Sequence, residues 1–145
     1  MRAVVQRVSR AAVTVDGEVI GQIGPGLLVL LGVAREDTAA QAERLAAKVG
    51  KLRILQGDAG SFDRSVLDTG GGVLAVSQFT LHADTAKGNR PSFSAAAPGP
   101  EAEPLYEAFC AALAAAGVHV ERGRFGAEMA VELVNDGPVT VILDA

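Results

Sequence analysis

Between residues 4 and 33 the chain is a succession of short Val-, Ile- and Leu-rich runs broken by turn residues, and this opening constrains the fold more than anything after it. Apolar runs of this length, rich in β-branched side chains and bounded by turn residues, read as strands. They cover residues 4–8, 12–15, 18–23 and 27–33. Asp16-Gly17 separates two of them, and a type I′ hairpin turn needs positive φ at both central positions, which Gly and Asp tolerate. The chain is therefore expected to open as an antiparallel meander.

From Thr38 the period changes. Ala42, Leu45, Ala46 and Val49 recur at helical spacing, and Thr38 with Gln41 forms a capping-box pattern, predicting a helix from about 39 to 49. Residues 57–72 are rich in Gly, Asp and Ser and read as a surface loop, after which 73–76 is an apolar strand running into Ser77. Residues 83–104 contain four prolines and little periodicity, the pattern of a long exposed loop, and long loops in compact domains are often functional. Leu105, Phe109, Leu113 and Ala116 predict a second amphipathic helix ended by Gly117. Strands follow at 118–122, 129–134 and 139–143. With no internal repeat, residues 1–145 are expected to form one α+β domain with two principal helices packed on sheet.

Composition narrows the function. Lys and Arg number 13 against 17 Asp and Glu, a net charge of -4, so any contact with RNA must come from a local patch. The charges of Arg2 and Arg7 interrupt the apolar segment that a signal peptide would need, and the longest apolar run, 27–31, is far short of the roughly 20 residues that span a bilayer. Cys110 is the single cysteine, so no intrachain disulfide can form. A cytoplasmic protein without a membrane span is expected. His119 sits in a Val-flanked strand with no second His or Cys at metal spacing, and no metal or cofactor is expected. Gly70-Gly71-Gly72 leads into a strand, whereas phosphate cradles open helices, and reads as a turn.

Two segments carry groups suited to chemistry. Ser77-Gln78-Phe79-Thr80 ends the apolar strand with two hydroxyls, an amide and a ring; alone it also reads as a strand end whose hydroxyls bond local backbone. Asn135-Asp136-Gly137-Pro138 interrupts two Val-rich runs and alone reads as a turn, although Gly-Pro can also set rigid backbone against a ligand.

Together, Ser-Gln-Phe-Thr-Leu at 77–81 and Asn-Asp-Gly-Pro-Val-Thr at 135–140 resemble the motif pair of the D-aminoacyl-tRNA deacylases. The likeness extends to Met-Arg-Ala-Val-Val-Gln-Arg-Val at 1–8, Asn-Arg-Pro-Ser-Phe at 89–93 and Phe-Gly-Ala-Glu-Met at 125–129, nearly end to end. It implies a mixed sheet with a barrel-like core and a homodimer. Gly137 and Pro138, joined by a cis bond, would enter the partner's pocket, lined by Ser77, Gln78, Phe79 and Thr80. There a backbone wall would clash with an L-aminoacyl side chain and admit a D-amino acid or glycine. Asn135 and Thr140 belong to the same segment, Arg7 would brace it through backbone hydrogen bonds, and Phe125 and Met129 would give apolar support. The implied reaction is hydrolysis of the ester at the 3′ end of D-aminoacyl-tRNA, proofreading that protects translation.

The bond-breaking groups admit two readings. Thr80, His82 and Asp84 share an i, i+2, i+4 spacing that would put them on one face of a strand, as a small-molecule esterase triad, although such residues lie roughly 6.5 Å apart along it. The resemblance instead implies that the 2′-hydroxyl of the terminal adenosine assists, while backbone N–H groups near Phe79 and Thr80 stabilise the oxyanion. A third reading is a noncatalytic RNA-binding module, against which the absence of Trp and an aromatic content of 4% count, because base-stacking surfaces use exposed rings. For tRNA phosphates the candidates are Lys87 and Arg90 in the loop and Arg44, Lys48 and Lys51 at i, i+4, i+7 on the first helix.

Overall fold

The computed structural model describes residues 1–145. Its elements are β1 (Arg2–Val15), β2 (Glu18–Ile23), β3 (Gly26–Gly32), α1 (Ala39–Lys51), β4 (Leu55–Gly57), β5 (Gly60–Arg64), the one-turn α2 (Val66–Thr69), β6 (Gly72–Ser77), a 3-10 turn at Phe79–His82, α3 (Gly99–Ala115), β7 (His119–Arg122) and β8 (Ala130–Asp144). The main sheet runs β2-β1-β3-β6-β7, with β8 paired along β1. Pairings of β1 with β2, β3 and β8 are antiparallel, and β3-β6 and β6-β7 are parallel. The sheet is therefore mixed.

It also curls until its ends nearly meet. A Cβ at Gly21 of β2 would lie 2.5 Å from the Arg122 carbonyl oxygen of β7, so only glycine permits this approach. Closure gives the sheet two apolar faces. Leu27, Val29 and Leu31 of β3, with Val73 and Ala75 of β6, pack under α1 and α3; Leu28, Leu74 and Val76 join Val8, Val13 and Ile23 inside the curl. A strand buried on both sides has no polar alternation, which is why 27–31 is continuously apolar. The barrel-like sheet with two principal helices agrees with expectation.

Four segments differ from the sequence reading. Residues 4–8 and 12–15 belong to one strand, because Ser9 and Arg10 stay extended and exposed while β8 continues to pair across them. Residues 129–134 and 139–143 likewise fall almost wholly within β8, so Asn135–Pro138 is no turn between strands but lies inside one. The 57–72 loop contains part of the β4-β5 hairpin and α2, whose cap is reciprocal: Asp68 N–H donates to Ser65 Oγ at 3.1 Å, and Ser65 N–H to Asp68 Oδ2 at 2.8 Å. The second helix starts at Gly99, six residues earlier than predicted from Leu105. Pro100 occupies its first turn, where N–H groups have no helical acceptor, and Pro104 follows inside it. On α1, Thr38 N–H donates to Gln41 Oε1 at 2.7 Å as the capping pattern predicts. No helix is long and apolar enough to cross a membrane.

Candidate active site

Parallel β3 and β6 deliver the first motif. Leu31 pairs with Ser77, Gln78 N–H donates to the Leu31 carbonyl at 2.8 Å, and the chain then leaves the sheet in the 3-10 turn. Side chains beyond the carboxyl ends of parallel strands border a crevice. Here the crevice is a cleft of about 600 Å³ whose lining includes Ser77, Gln78 and Phe79 at the β6 end. Val33, Arg35, Phe93 and the α3 start at Gly99 form one wall, and Phe125, Ala127, Met129 and Val131 another. Phe79 and Phe93 meet edge to face, their centroids 5.0 Å apart, and remain exposed at its mouth.

Thr80 stands beside the cleft, its Oγ1 accepting from Gln78 Nε2 at 2.6 Å. The 3-10 turn removes Thr80 and His82 from any common strand with Asp84, so the expected face does not exist. Asp84 instead exchanges backbone hydrogen bonds with Ser92, both at 2.8 Å, and its Oδ1 accepts from Ala86 N–H at 2.9 Å. His82 Nε2 is buried without a partner. An esterase triad needs a base that touches the nucleophile and an orienting acid that touches the base; neither contact is made. By contrast, the backbone N–H groups of Phe79 and Thr80 donate to no protein acceptor, the state that an oxyanion site requires.

Gly137, Pro138, Asn135, Thr140 and Arg7 form a second cluster that lines no part of this cleft. Between the pairs Gln6–Thr140 and Val8–Asn135, β1 spends only Arg7 while β8 spends residues 136–139, so the strand bulges outward. Gly137 has φ +129°, and its bond to Pro138 is cis. The bulge is held from three sides. Arg7, 6% exposed, donates from Nε to the Asp136 carbonyl at 2.9 Å and from Nη1 to the carbonyls of Ser61 and Ile54 at 2.9 and 3.1 Å. Asn135 Nδ2 donates to the Arg7 and Val139 carbonyls, both at 3.0 Å, and Thr140 Oγ1 donates to Asn135 Oδ1 at 3.3 Å. Gly137 and Pro138 themselves face solvent.

The basic candidates separate into two places. Lys87 and Arg90 are exposed in the loop closed by the Asp84-Ser92 bridge, and Arg44, Lys48 and Lys51 flank a shallow groove with Arg53 at the end of α1. Sequence reasoning missed Arg35 and gave Phe93 no role. Arg35 lies three residues beyond β3 and is placed at the cleft by the Ala34-Ala96 bridge and its hydrogen bonds to Ser94 and Ala95, contacts between segments distant in sequence.

Known proteins match the chain along nearly its whole length. A solved structure described as a c-Myc DNA unwinding element binding protein is 44% identical and superposes with a TM-score of 0.93 over 100% of this chain and 99% of its own. A probable eukaryotic D-amino acid tRNA deacylase, 16% identical, shares the fold at a TM-score of 0.87, covering 99% and 98% of the two chains. Proteins named D-aminoacyl-tRNA deacylase from Ruegeria pomeroyi and Deinococcus radiodurans are 63% and 64% identical, each over 99% of both chains. The chain is thus of the class of hydrolases that act on aminoacyl-tRNA ester bonds. The family described as D-Tyr-tRNA(Tyr) deacylase matches residues 4–144, and the chain belongs to it.

Proposed function

We propose that the cleft hydrolyses the ester between a D-amino acid, or glycine, and the 3′ end of tRNA, and that a backbone wall from a second subunit excludes L-amino acids. The observation that carries this reading is the split between the two motifs. The Ser77 cleft and the Gly137-Pro138 bulge are both open to solvent, yet within one chain the bulge does not line the cleft. A two-fold dimer lets each copy supply the wall for the other's site, since an isologous interface places each patch against its counterpart twice. Val134 and Ile142 are exposed on β8, the edge strand that carries the bulge, which fits burial against a second copy.

In the site so completed, Phe79 and Thr80 N–H groups stabilise the oxyanion and the 2′-hydroxyl of the terminal adenosine assists attack on the ester. Phe125 and Met129 support the substrate from the apolar wall. Selectivity comes from steric rejection, because a main-chain wall cannot rotate aside as a side chain can. Arg44, Lys48, Lys51, Lys87 and Arg90 meet tRNA phosphates. The protein thereby removes mischarged tRNA before translation uses it, in the cytoplasm.

Subunit mixing tests the proposal. One variant carries a cleft blocked at Ser77→Trp, and a second carries Gly137→Ala with Pro138→Ala. Each homodimer is expected to fail, the first in rate and the second in selectivity. The mixed dimer has one site with an intact cleft and an intact wall, and should recover D-selective release at roughly half the wild-type rate per dimer. No recovery in a demonstrated mixed dimer would contradict the shared site.

A further inference from the structure

Arg35 is the one ionisable side chain among the residues lining the cleft, and it lies outside both sequence motifs. Its position is fixed from one side. Nε donates to the Ser94 carbonyl at 2.5 Å, and its backbone N–H donates to the Ala95 carbonyl at 3.2 Å. The terminal nitrogens Nη1 and Nη2 meet no acceptor in the protein, and Arg35 takes part in no ion pair. The nearby carboxylate of Asp37 is engaged elsewhere, with Oδ2 accepting from Ala34 N–H at 2.6 Å and its side chain only 5% exposed.

A guanidinium held by Nε, with its fork free and no carboxylate in the same cleft, is arranged to receive an anion. Its planar geometry suits two oxygens of one phosphate. This charge stands apart in a chain of net charge -4. It also shares the cleft with the exposed rings of Phe79 and Phe93, apolar surface on which a nucleobase can rest.

We propose that Arg35 binds the phosphate on the 5′ side of the tRNA's terminal nucleoside and so sets the distance from backbone to ester. The assignment rests on the deacylase reading of the cleft. Arg35 contributes binding and placement, leaving the chemistry to the 77–80 turn. The Ser94 contact stiffens the guanidinium beforehand, which lowers the entropy lost on binding.

The test compares two small substrates, adenosine carrying D-tyrosine on its ribose 2′(3′)-hydroxyl and the same compound with a 5′-phosphate, with D-tyrosyl-tRNA alongside. Wild type should favour the phosphorylated compound by on the order of tenfold in kcat/KM, expressed in KM. Arg35→Ala should erase that preference, so that the two small substrates differ little in kcat/KM, and Arg35→Lys should restore part of it. On D-tyrosyl-tRNA the alanine variant should raise KM by about tenfold at unchanged kcat. An equal loss on both small substrates, a preference that survives Arg35→Ala, or a fall in kcat alone on tRNA would overturn the assignment. Wild type that releases D-tyrosine from tRNA but ignores the 5′-phosphate overturns only the role of Arg35. Wild type that releases it from none of the three removes the deacylase reading as well.

Discussion

Arg7 Nε donates to the carbonyl oxygen of Asp136 at 2.9 Å, joining the centre of β1 to the outward bulge of β8. The contact explains how four residues can leave the ladder opposite one and still keep a fixed path. Asn135 closes the bulge from below by bonding the carbonyls of Arg7 and Val139. The exposed Gly137-Pro138 tip is therefore a braced projection on the sheet's edge strand.

Removing the brace should cost stability and selectivity together. Arg7 answers three carbonyls from a nearly buried position, and truncation leaves those acceptors unpaired. Arg7→Ala should lower unfolding free energy by about 3 kcal/mol. Arg7→Lys should recover less than half, because an ammonium lacks the planar fork. Urea titration measures both, and parallel D- and L-aminoacyl-tRNA assays should show the D-to-L rate ratio falling.

Gly137 tolerates no side chain. A Cβ there would stand 2.8 Å from Arg7 Nη2 and 2.9 Å from Val139 Cγ2, at a φ of +129° that L-residues rarely adopt. Gly137→Ala should cost about 2 kcal/mol or more and move the bulge. Gly24→Ala is the control, since nothing lies within 4 Å of its Cβ, and should stay within about 0.5 kcal/mol of wild type.

Substituting His82 separates a side-chain triad from a backbone oxyanion site. Its Nε2 has no partner and its turn shares no strand with Asp84. His82→Ala should keep kcat within about threefold of wild type, whereas loss of a triad base costs several orders of magnitude. Single-turnover release of the D-amino acid reads the difference.

Alkaline pH should unfold the helix-sheet core. Burial pushes the Tyr106 phenol far above its ordinary value and raises the Cys110 thiol as well, and Tyr106 Oη donates to the Ala75 carbonyl at 2.8 Å. Both groups are held neutral in the fold, so their contribution is complete below the unfolded values of about 8.5 for Cys and 10 for Tyr and is lost as pH rises above them. Urea midpoints should fall steadily beyond about pH 9. Tyr106→Phe should be roughly 1 kcal/mol less stable at neutral pH and show a shallower alkaline decline.

If the basic face of α1 meets tRNA phosphates as proposed, its share of binding is salt-dependent. Replacing Arg44, Lys48 and Lys51 by Gln should weaken binding and reduce the slope of log K against log salt by roughly one to three. Filter binding over a salt series, with unacylated tRNA, measures it.

Much of the fold was legible because burial leaves a period in sequence. The helical spacing of α1 and the apolar run of β3 both stand out for that reason. The missed elements owe their form to partners distant in sequence. Ser9 and Arg10 are strand only because β8 pairs across them, and β8 stays continuous through Asn135–Pro138 only because Arg7 and Asn135 hold the bulge. Proline suggested a loop at 98–104, yet Pro98 and Pro100 stand at the start of the helix, where a missing N–H costs little. Within the candidate site, the family resemblance pointed to Ser77, Gln78, Phe79, Phe125 and Met129, which share the cleft. It could not reveal Arg35, which contacts with Ser94, Ala95 and the Ala34-Ala96 bridge hold at the cleft.

The most direct measurement is deacylation of matched D-tyrosyl- and L-tyrosyl-tRNA by the purified protein. Rapid release of D-tyrosine is expected, with the L-ester left near its spontaneous rate, and that discrimination should be lost when Gly137 and Pro138 are both replaced by alanine. Equal hydrolysis of both enantiomers by wild type would contradict the backbone-wall mechanism, and release of neither above background would contradict the deacylase function.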